Sequence, residues 1–429
     1  MEPKYGNDIL LHEFSKQERW KQAVDKGVVK QIDKITLQQI CSRNYRKHLF
    51  DTIRSGSYQI HPPHEALVPK DDGTMRTVYV NQGQDRIILS VINDMLFELC
   101  PEKIHPQCTS YKKGTGCGNV VKQVSKIIGH MNENPDYETL GVKLDLSKYF
   151  DSVPISYIDN VFDYVEEKFG KSSIINLIRN YYHDDTVISL KKEKYNKYMS
   201  LRQGCAVAAF LADSVLYGID STISSQNVYY VRYSDDMLIL GKEYPAAMQS
   251  MEKMLSEMNL ALNPRKIQKL HKDQWFQFLG FSLKNSMISM SKTRIKTFQK
   301  EIEKITVKKQ TSSEKEITKA VYAYLYGNPY DTGYSWAQAV LPIINNQKDI
   351  SLLNGYTMDA IRAGMTGKTQ IGGLGACMTK DHVIQRGKGR HVKHNRNTIP
   401  ELKWYKSISC MKNAMITSKA AYAAMLVCK

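Results

Sequence analysis

The run VYYVRYSDDMLIL, Val228 to Leu240, places two adjacent aspartates, Asp235 and Asp236, inside an apolar, β-branched and aromatic stretch. Its composition makes strands of the residues on either side, so the acids fall at a turn between two strands. Ser-Asp-Asp is ordinary hairpin chemistry, because Asp tolerates turn geometry and bonds its own backbone. At a hairpin tip the pair also offers hard oxygen ligands suited to Mg2+, provided that a third carboxylate joins it. Upstream, GVKLDLSKYFDSVP (141–154) supplies one, Asp145, at the end of a short apolar strand. Alone, Asp145 reads as a helix cap or a surface acid. With the hairpin acids it completes a set of three at strand ends, able to hold two ions roughly 4 Å apart. One ion would lower the pKa of an attacking hydroxyl and the other would steady a leaving phosphate, which is the chemistry of nucleotidyl transfer.

The elements that must position these acids follow from periodicity. Helices are expected around 12–26 and 33–54. ALVPKDDGTMRTVYVNQ reads as two strands joined at Asp72-Gly73, a good hairpin turn. Apolar periodicity predicts helices over 86–100, within 156–182, and over 205–223 and 246–260; WFQFLGFSL (275–283) reads as a strand. Strands alternating with helices, together with antiparallel hairpin signals, make an α+β core. We divide the chain into an N-terminal helical extension (1–60), a central α+β region (61–283) and a C-terminal extension (284–429).

The formal charge of +17 points to a polyanionic partner, either nucleic acid or an acidic membrane surface. Residues 284–429 hold 24 Lys and Arg against 9 Asp and Glu, so +15 of that excess lies there. Within them QRGKGRHVKHNRN clusters Arg386, Lys388, Arg390, Lys393 and Arg396. With tyrosines interleaved from Tyr322 to Tyr334, this pattern suits an RNA backbone with stacked unpaired bases; a helical segment that is merely basic is the plainer reading. The eight cysteines show no C-x-x-C pair or zinc spacing, which implies a reducing interior. MEPKYGNDILLHEF lacks the pattern of a signal peptide, and no apolar run reaches about 18 residues, so a cytoplasmic protein without a membrane span is expected.

Five motifs in order now resemble the reverse transcriptase family: the acid-bearing strand at Asp145, Arg-Gln-Gly at 202–204, Tyr-Ser-Asp-Asp at 233–236, Asn-Pro-Arg-Lys at 263–266 and Phe-Leu-Gly-Phe at 278–281. The resemblance covers roughly 65–283 and implies a right-hand polymerase: fingers and palm over 61–283, then a mainly helical basic thumb. It implies Asp145 and Asp235 as metal ligands, with Asp236 completing the cluster around two Mg2+ ions or Mn2+. Phe150 matches the aromatic gate that excludes a 2′-hydroxyl, which implies deoxynucleoside triphosphates as substrates. Lys70 and Arg76 match the cations that grip the triphosphate, Gln203 and Gly204 the pair beside the templating base, and Lys266 the general acid for the leaving pyrophosphate. Each of these also has a plain reading as a core aromatic, a turn cation or an exposed lysine.

The chain departs from the family pattern where many bacterial members carry Ser-Pro and then Asn after Gln-Gly; here Ala208, Ala209 and Asp213 stand in those places. A Cys/His endonuclease constellation and the retron-type N-A-x-x-H and V-T-G blocks are absent from the sequence; NAMI at 413–416 lacks the histidine. The remaining resemblance is to the stand-alone "unknown group" and defence-associated bacterial enzymes, which implies DNA synthesis on a noncoding RNA template in antiviral defence. The alternatives are a template-independent or protein-primed DNA polymerase of the abortive-infection type, and a catalytically silent RNA-binding scaffold.

Overall fold

The computed structural model describes residues 7–25, 40, 42–70, 74–111, 116–198, 200–307, 313–327, 335–367, 371, 379–387 and 390–408, the stretches 379–387 and 390–398 by backbone alone. Helices and strands mix along the chain in an α+β architecture of two compact units. The first joins Met1–Cys117 to Tyr137–His271; the second joins Gly118–Asp136 to Lys272–Lys429.

In the first unit the expected hairpin forms from β1 (His64–Pro69) and β2 (Met75–Val80), paired from His64↔Val80 to Pro69↔Met75. The Asp72-Gly73 turn lies outside the described residues. Two short strands that sequence reading had not assigned, β4 (Thr186–Ile188) and β5 (Lys194–Asn196), extend this sheet in the order β2-β1-β4-β5. The second sheet holds β3 (Thr139–Asp145), β6 (Tyr229–Tyr233), β7 (Asp236–Leu240) and β8 (Gln268–His271) in the order β6-β7-β3-β8, each pair antiparallel.

Leu140, Val142 and Leu144 of β3, and Met237 to Leu240 of β7, are all buried. In β3 a slip of one residue would put Lys143 in place of a core side chain, so the core fixes its register, whereas β7 is buried on both faces. Gly141 makes the approach close. Its φ is +153°, and a Cβ there would meet the Ile239 carbonyl oxygen at 2.1 Å. Long side chains from Ile87 to Leu96 of α4 (Gly83–Leu99) join the same apolar cluster as Val142 and Leu144.

Several expected elements are divided. The stretch 205–223 forms α9 (Ala208–Val215) and α10 (Tyr217–Ser224), while the helical patterns expected within 156–182 are α7 (Ile155–Phe169) and α8 (Ser173–His183), separated by Gly170 at φ +84°. An apolar run specifies burial, but it does not specify an unbroken axis. In the second unit, 275–283 is two strands, β9 (Phe276–Phe278) and β10 (Phe281–Lys284), with Leu279 and Gly280 at φ +49° and +77° making the turn. With β11 (Met287–Met290) they form an antiparallel sheet. Helices α12 (Lys292–Thr306), α13 (Glu314–Tyr326) and α15 (Gln347–Thr366) pack on one another.

Tyr322 and Tyr326 of α13 are buried and meet edge to face within the core of this unit, so neither can offer a face to a base. Tyr330 and Tyr334 lie outside the described residues. The basic run forms a hairpin of β12 (Thr379–Gly387) and β13 (Arg390–Thr398), in which Arg386 pairs with His391, Lys393 with Ile384 and Arg396 with Asp381. Lys388 lies outside the described residues. Among the described residues, no helix is long and apolar enough to cross a membrane.

Candidate active site

Strands β6 and β7 are joined by a two-residue turn, Ser234-Asp235, closed by the pairing of Tyr233 with Asp236. Asp236 therefore opens β7, and the register sets it directly opposite Asp145, the last residue of β3. Residues so paired have Cα atoms about 4.5–5.5 Å apart. The three acids thus come from two adjacent strand ends and the turn between β6 and β7.

After Asp145 the chain is clamped on both sides. The Leu146 amide donates to the Asp235 carbonyl at 3.3 Å, and the Ser147 amide donates to the Ala261 carbonyl at 2.8 Å. The Asn263 amide returns to the Asp145 carbonyl at 2.8 Å. Asn263 Oδ1 accepts the Arg265 amide at 3.2 Å, and the Lys266 amide donates to the Asn263 carbonyl at 2.9 Å. This side-chain turn explains the Asn-Pro-Arg-Lys sequence physically, because it delivers Lys266 to the acids. Lys266 Nζ lies 2.7 Å from Asp145 Oδ2; the lysine side chain is 57% exposed and the carboxylate 6%.

A second lysine, Lys143, sits 3.4 Å from Asp236 Oδ1. It was not anticipated, although alternation along a strand puts residues 143 and 145 on one side. Burial raises the Asp235 carboxyl above its ordinary value, and the carboxylates of Asp145 and Asp236 push the same way. Among the described residues, no three His, Cys, Asp or Glu side chains converge as a ready ligand set. Two of the acids are instead held by ammonium groups. The site still fits a divalent ion: its donors are all hard oxygens, and Asp235 bears like-charge crowding that a dication would relieve.

Beneath the turn lies Arg232, fully buried, a charge in an otherwise apolar strand. Its Nε and Nη2 bind both oxygens of Asp220 at 2.7 and 2.6 Å, Nη2 also reaches the Asp213 carbonyl at 2.9 Å, and Nη1 reaches the Ser234 carbonyl at 3.1 Å. The Tyr230 hydroxyl donates to Asp220 at 2.8 Å. Breaking such a buried pair costs about 3–5 kcal/mol, because one charge is left without its partner.

Phe150 lies in α6 (Tyr149–Ser152), a short turn opened by Lys148 at φ +47°. It lines a small, shallow surface cleft with Tyr79, Asp151, Lys197, Tyr198 and Arg202. Lys197 bonds Asp151 at 2.7 Å and lies over the Tyr79 ring at 4.3 Å. The Gln203-Gly204 turn is pinned to β2, where the Tyr79 amide donates to the Gln203 carbonyl at 2.6 Å. At φ +108°, a Cβ on Gly204 would stand 2.9 Å from the Tyr79 carbonyl oxygen, so only glycine allows this approach. Lys70 and Arg76 are exposed at the end of the β1–β2 hairpin where the two strands join, with the Lys70 amide bonded to the Thr74 carbonyl at 2.7 Å. The structure thus gathers Asp145, Asp235, Asp236 and Lys266 at one place and brings Gln203-Gly204 against a strand that shares a cleft with Phe150. It places Arg386, Arg390, Lys393 and Arg396 on strands of the other unit.

Residues 68–283 match the family described as reverse transcriptase (RNA-dependent DNA polymerase). No curated protein matches the chain. Among solved structures, apo telomerase from Candida tropicalis is similar at 9% identity and a TM-score of 0.44, over 72% of this chain and 57% of that one. Telomerase from Candida albicans in complex with the TWJ fragment of telomeric RNA gives 11% identity and a TM-score of 0.40, over 81% of this chain and 63% of that one. This chain therefore spans less than two thirds of either telomerase chain.

Proposed function

Because the chain belongs to the reverse transcriptase family, whose enzyme class is RNA-directed DNA polymerase, a nucleotidyltransferase, we propose that it copies a noncoding RNA into DNA at the Asp145–Asp235–Asp236 cluster, in bacterial antiviral defence. The observation that carries the site assignment is the pairing of Asp145 with Asp236 at neighbouring strand ends, with Asp235 in the adjoining turn and Lys266 bonded to Asp145. The defence role rests on the subgroup resemblance alone.

Asp145 and Asp235 hold the ions, Mg2+ with Mn2+ as substitute, and Asp236 completes the set. When bound, two such ions activate the primer hydroxyl and stabilise the leaving pyrophosphate. Lys266 donates a proton to that pyrophosphate, a role supported by its exposed ammonium beside Asp145. Phe150 lies under the incoming sugar and excludes a 2′-hydroxyl, as its place on the cleft wall supports. Lys70 and Arg76 grip the triphosphate from the fingers hairpin β1–β2, while Gln203 and Gly204 border the templating pair. The sheet β6-β7-β3-β8 is the palm, and the second unit contributes the thumb. Arg386, Lys388, Arg390, Lys393 and Arg396 bind RNA phosphates there.

The test is Asp235→Ala in the full chain. Deoxynucleotide incorporation on an RNA template falls to background while the thermal midpoint and RNA retention stay near wild type. Unchanged synthesis would sink the site assignment. Sequencing the RNA and DNA that copurify with wild-type protein from its host identifies the template, and recovery of no specific RNA would refute the dedicated-template reading.

A further inference from the structure

Ser234 has a backbone that its residue type disfavours. Its φ is +57°, the left-handed region that side chains other than Gly, Asn and Asp rarely occupy. It is also the first residue of the turn that carries Asp235, so any relaxation of its backbone swings the next carboxylate. Such conformations persist where the surroundings over-determine them.

Here the surroundings do so from one side. The Ser234 amide donates to Ser110 Oγ at 3.0 Å, and its carbonyl accepts from Arg232 Nη1 at 3.1 Å. Its own hydroxyl is reached by the Tyr111 hydroxyl at 3.5 Å. Ser110 is fully buried, and its hydroxyl points to Asp213 Oδ1 at 2.6 Å. A hydroxyl has one hydrogen to give. With that hydrogen spent on Asp213, a lone pair is left facing the Ser234 amide. The Cys108 thiol, 3.4 Å from the same oxygen, is then placed as donor.

Ser110 is itself held by the sheet. Residues 107–109 run parallel to β6: the Arg232 amide donates to the Gln107 carbonyl at 2.9 Å, and the Thr109 amide donates to the Arg232 carbonyl at 2.8 Å. The bonded strand and the buried Asp213 thus meet the Ser234 amide through the Ser110 hydroxyl, while Arg232 holds the Ser234 carbonyl. Asp213, which stands where many family members carry Asn, orients it.

We propose that Ser110 is a positioning residue for the acidic turn, its hydroxyl, aimed by Asp213, holding Ser234 in the left-handed conformation that points the Asp235 carboxylate at the metal site. Removing the hydroxyl leaves a buried amide without its partner and lets the turn flatten. Replacing Ser234 with glycine removes the steric penalty that the hydroxyl offsets. The two changes therefore couple instead of adding.

The inference rests on the metal-binding reading of the acidic cluster, and its test separates the two. In metal-free full-length protein, Ser110→Ala speeds amide hydrogen exchange across 229–240 with the thermal midpoint within a few degrees of wild type. In the same variant, Mn2+ affinity read by electron paramagnetic resonance and single-turnover incorporation both fall about ten- to a hundredfold. Ser110→Ala/Ser234→Gly recovers at least about threefold of that loss relative to Ser234→Gly alone. A loss with no such recovery, or exchange and Mn2+ affinity unchanged in Ser110→Ala, overturns the proposal. If Asp235→Ala binds Mn2+ as wild type does, the metal reading has failed, and the exchange measurement still decides whether Ser110 holds the turn.

Discussion

Lys266 can serve the cluster in two ways, and the structure gives each a different magnitude. As a counter-ion to Asp145 it makes one contact, at 2.7 Å, from a side chain that is 57% exposed. With the ammonium solvated and the carboxylate buried, such a pair contributes on the order of 1 kcal/mol, the top of the range for exposed pairs and roughly a fivefold effect on an equilibrium. In a chain this long such a change moves the thermal midpoint by no more than about 4 °C. As general acid to the leaving pyrophosphate it contributes about 10²–10⁴ in rate. Lys266→Ala is therefore expected to leave the midpoint nearly unchanged while single-turnover incorporation falls at least about a hundredfold. Lys266→Arg separates charge from proton donation, because guanidinium keeps the ion pair but gives up its proton only at very high pH. The assay is addition of one deoxynucleotide to a primed RNA template at saturating Mg2+, across pH 6–9. Recovery of Lys266→Arg to within about fivefold of wild type would refute the acid role and leave the lysine a counter-ion.

Phe150→Ala should lower discrimination against ribonucleoside triphosphates by about tenfold or more, measured as the ratio of incorporation efficiencies; an unchanged ratio moves the gate elsewhere. Gly141→Ala forces β3 and β7 apart by about 1.3 Å, the difference between the 2.1 Å its Cβ would meet and an ordinary 3.4 Å contact. Shifts near 1 Å at a site cost about a hundredfold in rate, so incorporation and thermal midpoint should fall together, and a fully active variant would exclude register as the device that places Asp145. Asp235→Asn tests the crowding of charge. A carboxyl raised above its unfolded value contributes stability at low pH that is lost as pH rises through the folded value, so wild type carries a penalty at neutral pH. The metal-free variant should melt higher at pH 7, by about 2–4 °C for each kcal/mol relieved, with the gain shrinking as pH falls through the folded value. A lower midpoint at pH 7 would contradict that sign.

Local chemistry made much of this site readable. Strand composition around Asp235 and Asp236 placed the acids at a hairpin, and the structure puts that turn at Ser234-Asp235. Asp145 ends a strand as its sequence implied, but only pairing between distant strands sets it opposite Asp236. Lys143 was accessible through strand alternation, since residues two apart share a side. Arg232 signalled a buried ion pair by being charged within an apolar strand, yet nothing local names Asp213 and Asp220 as its companions. Tyr322 and Tyr326 show the opposite failure. Four residues apart on a helix, they lie on one face, and that face is the buried one. Composition suggested a binding surface where periodicity indicated a core.

The network beneath the turn has to be explained by something other than stability. Arg232, Asp213 and Asp220 are each fully buried, and their side chains replace apolar packing at the centre of the first unit. Well-packed hydrophobic side chains of similar volume are often neutral or more stable by about 1–4 kcal/mol. What hydrophobic side chains cannot provide is direction: the guanidinium is a rigid planar fork, and here two of its arms are fixed on Asp220 while another reaches the Ser234 carbonyl. Asp213 holds the other end through Ser110, whose oxygen meets the Ser234 amide. Both polar groups of one strained peptide residue are thus tied to a buried lattice that has little freedom to move. Asp145 and Asp236 each have an ammonium partner, Lys266 and Lys143, so the like-charge crowding falls on Asp235, the acid that the turn carries. On the proposal made for Ser110, these buried charges hold the turn rigid, and that rigidity would keep Asp235 near Asp145 in the metal-free protein.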